Sequence, residues 1–130
     1  MVVRPTKVAD ASALAAVAFR ESQGLEVRGQ LSGAELLAPP LLPAELTNIA
    51  WKKCRRRPTS ANAVAEQLTQ VLRVPVTLVH VDRTEVLQLA LLWDLTAYDA
   101  SYLWVAWRRG VFLVTLDRRL AAAATEMGLS

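Results

Sequence analysis

The sequence holds one histidine and one cysteine in 130 residues. Zinc clusters need several such side chains and a disulfide needs two cysteines, so His80 and Cys54 support neither. Cys54 stands among lysines and arginines, and a reducing cytoplasm suits an unpaired thiol. Glycine, at five, and proline, at six, are also scarce. No linker, repeat or low-complexity stretch breaks the chain, and its length predicts one compact domain over residues 1–130. Membrane signals fail as well. Val8 to Phe19 follows Arg4 and Lys7 in the manner of an export signal, but Asp10 interrupts it. Val86 to Trp107 has the length of a span, yet Asp94 and Asp99 would each cost about 2.5–3.5 kcal/mol in a bilayer, which predicts two helices in water and no membrane partner.

What is present is a hydrophobic chain, 53% apolar, with a formal charge of +3 and a pI near 9.5. The positive charge is concentrated in Lys52, Lys53, Arg55, Arg56 and Arg57. Such a run suits a polyanion, and it equally suits the negative end of a helix dipole.

The pattern alternates strands with helices. Lys7 to Ala9 reads as a brief strand feeding a helix that runs to Phe19. Pro39 and Pro40 forbid a helix through "LLAPPLLPAEL", while Pro43 suits the first turn of one ending near Arg57. Ser60 is placed to cap a helix over Ala61 to Leu72, closed by Pro75. Val76 to Val81 and Val111 to Thr115 read as strands. Helices are expected from Thr84, from Thr96 to Gly110, and from Asp117 to Gly128. Strands separated by helices predict an α/β sandwich with a mostly parallel central sheet, in which ligands bind beyond the carboxyl ends of the strands.

Four acids are expected at that edge. Asp10 follows the first strand and Asp117 the last, while Glu45 and Asp99 lie in the first turns of helices running back along the sheet. Singly, each reads as a helix cap or a dipole-favoured acid, and Thr96 to Asp99 approximates a capping box. Together they repel, by about 4 kcal/mol for a pair about 4 Å apart at a dielectric of about 20, so a cation belongs among them. Hard oxygen donors without histidine or cysteine favour Mg²⁺ or Mn²⁺, which usually join carboxylates to a phosphate. Metal-assisted phosphodiester hydrolysis is the chemistry that follows.

The stretches "VADASAL", "LLPAELTNIAWK", "LTAYDASYLWVA" and "LVTLDRRLAAAA" together resemble PIN-domain ribonucleases of the VapC toxin type, over nearly the whole chain. The resemblance implies a three-layer α/β/α fold, a Mg²⁺- or Mn²⁺-dependent endoribonuclease acting as the toxin of a toxin–antitoxin pair, a homodimer, and a VapB-type antitoxin. Asp10, Glu45, Asp99 and Asp117 match the family's acidic quartet, with Asp10, Asp99 and Asp117 as the metal-holding members. Ser12, Asn48 and Thr115 match its neighbouring polar positions. Ser12 and Thr115 are then expected to position water or phosphate, and Asn48 to hold the Glu45 carboxylate. Lys52 to Arg57 becomes a candidate RNA contact, extended by Arg108, Arg109, Arg118 and Arg119. Asp82 and Asp94 match nothing. The family adds a short strand after its last helix where this chain reads only "EMGLS", which predicts a sheet lacking one edge strand.

Two other readings compete. A phosphoacceptor receiver domain would use Asp10, Asp82 and Thr115, but lacks a second acid beside Asp10 and leaves Glu45 and Asp99 without a role. A PIN-like module that binds RNA or protein without cutting would keep the quartet idle. His80, alternating with Leu78 in the strand, is expected to be structural. Trp51, Trp93, Trp104 and Trp107 are expected in core or subunit packing.

Overall fold

The structure, a computed structural model, describes residues 3–130. Four parallel strands form one sheet in the order β3-β2-β1-β4, with β1 at Thr6–Ala9, β2 at Glu35–Ala38, β3 at Val76–Leu78 and β4 at Phe112–Val114. Seven α-helices connect and follow them: α1 Ala11–Ala18, α2 Gly24–Leu31, α3 Leu42–Arg56, α4 Ala61–Val71, α5 Arg83–Trp93, α6 Ala97–Arg109 and α7 Arg118–Glu126.

The order carries the architecture. From β1 the chain steps outward through β2 to β3, then returns past β1 to place β4 on its other side. Right-handed crossovers put helices on opposite faces when the direction of winding reverses. Accordingly α1 packs with α2, α3 and α4, while α6 lies against β1, β2 and β4 with α5 and α7 beside it. The sheet is the middle of three layers. Val8, Ala9, Leu37, Leu103, Val105 and Leu120 fill the core between them. α1 and α2 approach closely enough that a Cβ on Gly24 would collide with the Ala16 carbonyl oxygen, so glycine is required there.

Several elements differ from expectation. β2 and α2 carry no clear sequence signature: β2 has four residues and no β-branched one, and α2 buries only Gly24 and Val27. β3 stops at Leu78. Val79 still donates to the Ala38 carbonyl at 2.8 Å, but the chain then leaves the sheet edge, and His80 is exposed outside any strand. Ser60 precedes α4 without capping it; its hydroxyl donates to the Arg57 carbonyl at 3.0 Å, closing a 3-10 turn over Pro58–Ser60. No strand follows α7. The outer edge of β4 is nevertheless partly covered, because Leu113 N–H donates to the Leu129 carbonyl at 2.8 Å. Among the described residues, no helix is long and apolar enough to cross a membrane.

Candidate functional site

Winding reverses between β1 and β4, and at such a point connections diverge and leave a crevice at the carboxyl edge. Ala9 pairs with Val114 there, so the next residues, Asp10 and Thr115, are neighbours across the strands. Asp10 N–H donates to the Val114 carbonyl at 3.2 Å, which extends the ladder into the crevice.

Asp10 is 4% exposed and three donors hold its carboxylate. Its Oδ1 accepts from the Ala13 N–H at 3.0 Å, the cap of α1, and from the Ser12 hydroxyl at 2.7 Å. Its Oδ2 accepts from the Thr115 hydroxyl at 2.6 Å. Ser12 Oγ also accepts from Leu116 N–H at 3.0 Å, and Thr115 Oγ1 from Asp117 N–H at 3.0 Å. Ser12 and Thr115 thus fix the Asp10 carboxylate and pin the turn after β4 to the turn after β1. Asp10 is thus the cap of α1 and, at the same time, a buried carboxylate at the carboxyl edge of the sheet. Asp117 is likewise the cap of α7, its Oδ1 accepting from Leu120 N–H at 2.9 Å.

Asp99 sits in the first turn of α6, where Thr96 Oγ1 accepts its N–H at 3.1 Å as a capping box requires. Glu45 sits in the first turn of α3, which starts at Leu42 with Pro43 in the opening turn and no side-chain cap. Its partner differs from expectation. The Tyr102 hydroxyl, and not Asn48, donates to Glu45 Oε1 at 2.6 Å. Tyr102 is one turn past Asp99 on α6 and 1% exposed. A tyrosine three residues after the first-turn acid of an otherwise apolar helix was the available signal.

The acids repel one another across the crevice. Burial pushes the Asp10 carboxyl up, hydroxyl and backbone donors oppose this, and Asp117 adds repulsion. Burial likewise raises Glu45, the Tyr102 bond opposes it, and Asp99 and Asp10 push it further up. Asp99 is raised by burial and then by Asp117 and Asp10. Tyr102 is driven far above the usual phenol range by burial and by its bond to Glu45. None of the four is ion-paired: the ion pairs among the described residues are Lys53–Glu21, Arg108–Glu85 and Arg119–Asp94.

These directions set the sign of a pH effect. Unfolded, Asp10 ionises near 3.8; folded, it keeps its proton to higher pH. The stability it lends is whole below the ordinary value and is lost as pH rises through the folded one. In metal-free protein, the Asp10→Asn variant is therefore expected to gain on wild type in Tm as pH rises from 3.8. A constant Tm difference across that range would contradict burial as the cause.

The four acids supply only oxygen, a donor set that suits a hard divalent ion. Among the described residues no three acid, histidine or cysteine side chains are close enough to hold an ion alone. A hydrated ion held partly through water is what such spacing accommodates.

The remaining residues sort clearly. Asn48 and Lys52 line a cleft beside Glu45, opened by Leu41 and Tyr98. Lys53, Arg55 and Arg56 fall in the last turn of α3, as the dipole favours, followed by Arg57. Lys53 pairs with Glu21 at 3.3 Å and Arg55 stacks over Trp51 at 5.1 Å. Trp104 is core and donates to Glu85 at 3.0 Å, Trp93 is half-buried, and Trp51 and Trp107 are exposed. Asp82 caps α5 through Glu85 N–H at 3.0 Å, behind the edge strand β3, which leaves the receiver arrangement without its acceptor.

Comparison with known proteins bears on the family and the fold. The PIN domain family matches residues 7–126. Exonuclease VapC9 of Pyrobaculum aerophilum is 36% identical over 113 residues, covering 87% of this chain and 81% of that protein. Ribonuclease VapC3 of the same organism is 37% identical over 122 residues, 88% of this chain and 91% of that protein. The crystal structure of PAE2754, also from Pyrobaculum aerophilum, matches with a TM-score of 0.74 at 34% identity, over 93% of this chain and 87% of that one. VapC20 of Mycobacterium tuberculosis, described as a sarcin-ricin loop cleaving toxin, matches with a TM-score of 0.64 over 91% of this chain and 95% of that one; at 17% identity it bears on the fold alone. The chain belongs to the PIN domain family and is of the VapC type.

Proposed function

We propose that this protein is a metal-dependent endoribonuclease, the toxin of a toxin–antitoxin pair, with Asp10, Glu45, Asp99 and Asp117 as its active centre. One observation carries the reading: four carboxylates from two strand ends and two helix starts face one another across a crevice, none of them ion-paired among the described residues, and burial and their mutual repulsion raise the proton affinity of Asp10, Glu45 and Asp99. The relatives named ribonuclease and exonuclease support nuclease chemistry.

A divalent ion bound here would supply acidified water and neutralise charge building on a phosphoryl oxygen. Asp10, Asp99 and Asp117 would hold it, directly or through water. Asp10 would be kept in one orientation by Ser12 and Thr115. Glu45, whose raised proton affinity suits a general base, would take the proton of the attacking water, aimed by Tyr102. In-line attack would expel the 3′ oxygen, giving 5′-phosphate and 3′-hydroxyl ends. Lys52, Lys53, Arg55, Arg56 and Arg57 would guide the strand by its phosphates without reading bases.

The partners follow. A VapB-type antitoxin would cover the crevice in the cytoplasm. A homodimer is supported by the apolar side chains that α5 leaves in water, Leu87, Leu91 and Leu92, of which Leu91 is 76% exposed. Leu91→Glu is then expected to give a monomer in sedimentation.

The decisive assay uses a circular single-stranded RNA with Mg²⁺ or Mn²⁺. Linearisation with 5′-phosphate ends is expected, and none in EDTA. Degradation of linear RNA alone would replace the internal cutter by an exonuclease. RNA bound equally well in EDTA and left whole under all conditions would make the protein a binding module.

A further inference from the structure

Beyond the acidic crevice, α3 and the start of α6 form a second concavity of about 480 Å³ that shares Glu45 with it. Its volume lies within the ~300–1,000 Å³ of small-ligand sites. One wall is a single face of α3, because Glu45, Asn48 and Lys52 fall three and four residues apart. The row runs outward from the acids for about 10 Å at 1.5 Å per residue. Each step changes chemistry: a carboxylate at the crevice, then a carboxamide with donors and an acceptor, then an ammonium. The opposite wall is Tyr98, which precedes Asp99 and is 66% exposed.

Tyr98 is not explained by packing or capping. The cap of α6 is made by Thr96 and the core contacts by Ala100 to Ala106. Lys52 has no carboxylate within 4.0 Å among the described residues, where the ion pairs are Lys53–Glu21, Arg108–Glu85 and Arg119–Asp94. An open aromatic face, an amide and an unpaired cation in one cleft match the three parts of a nucleotide: base plane, base edge and phosphate.

We propose that this cleft is a nucleotide subsite next to the bond that is cut, in which Tyr98 stacks one unpaired base, Asn48 hydrogen-bonds its edge and Lys52 takes the neighbouring phosphate. The inference rests on the ribonuclease reading and makes single-stranded or splayed RNA the substrate class, since a base inside a helix offers no free face. It also gives the site its selectivity. Stacking accepts any base, so preference at this position comes from Asn48.

The test uses a random-sequence single-stranded RNA pool, cleaved with Mg²⁺ and sequenced at its ends, with affinity for the uncut pool measured in EDTA. Tyr98→Ala is expected to weaken binding and raise KM about tenfold, a typical loss for one stacked base, with kcat at saturation little changed. Tyr98→Trp is expected to restore affinity and Tyr98→Leu not to. Asn48→Ala is expected to flatten the base preference at one position flanking the cut. Lys52→Ala is expected to reduce the salt dependence of binding by about one phosphate contact.

Wild type that cuts no RNA with either metal overturns the nuclease reading and this subsite with it. Wild type that cuts, with Tyr98→Ala and Tyr98→Leu equal to it in KM and end sequence, overturns the subsite alone. Tyr98→Ala that cuts normally but sediments differently assigns the ring to a subunit contact and overturns it as well.

Discussion

Asp10→Asn is expected to lower metal-dependent RNA cleavage by about a thousandfold, the equivalent of several kcal/mol of lost charge stabilisation at about 1.4 kcal/mol per decade. The fold should survive. Asparagine keeps an oxygen for the Ala13 N–H, so the α1 cap remains, and the Ser12 and Thr115 hydroxyls can rotate to meet an amide. Removing a buried charge should also relieve repulsion from Asp117. The signature is a variant that melts no lower than wild type at neutral pH, cleaves almost nothing, and lacks the rise in Tm that Mg²⁺ is expected to give wild type. A variant retaining full cleavage would remove Asp10 from the active centre.

Tyr102→Ala is expected to be the most damaging single truncation near the site. Emptying a fully buried aromatic costs about 3–5 kcal/mol, or about 10–20 °C in Tm for a domain of this size. Tyr102→Phe separates the hydroxyl from the ring. It keeps the packing and removes the 2.6 Å bond to Glu45, for about 1–2 kcal/mol. Because that bond opposes the upward shift of Glu45, its loss should raise the Glu45 pKa further. The acidic limb of the pH–rate profile should then move to higher pH. A pH–rate profile identical to wild type would show that Tyr102 is core packing and nothing more for Glu45.

The acids were legible in the sequence because the constraint on them is topological. A charged residue directly after a short apolar strand has one place to emerge, and first-turn acids of returning helices emerge beside it. Asp10, Glu45, Asp99 and Asp117 needed no side-chain detail to be placed near one another. What supports them did need it. Ser12 and Thr115 looked like contacts for water or phosphate, yet their hydroxyls turn inward to Asp10, a choice set by rotamers and by Leu116 N–H. Tyr102 was hidden inside an apolar helix, where a phenol reads as packing until its partner, 57 residues away, is known. β2 was missed because Leu and Ala carry little strand preference and four residues show no period. Alternation alone puts His80 in a strand, but an edge strand ends where the neighbour it pairs with ends, at Ala38.

The pairing of β1 with β4 joins Lys7 to Phe112 and Ala9 to Val114, so nearly the full length of the chain separates the two halves of the crevice. In a polypeptide leaving the ribosome, Asp10 emerges 105 residues before Thr115. Until then Asp10 lacks the hydroxyl that orients it and the second strand end that completes the cup. Completion of the crevice is therefore a late event of folding, reached only when β4 docks beside β1.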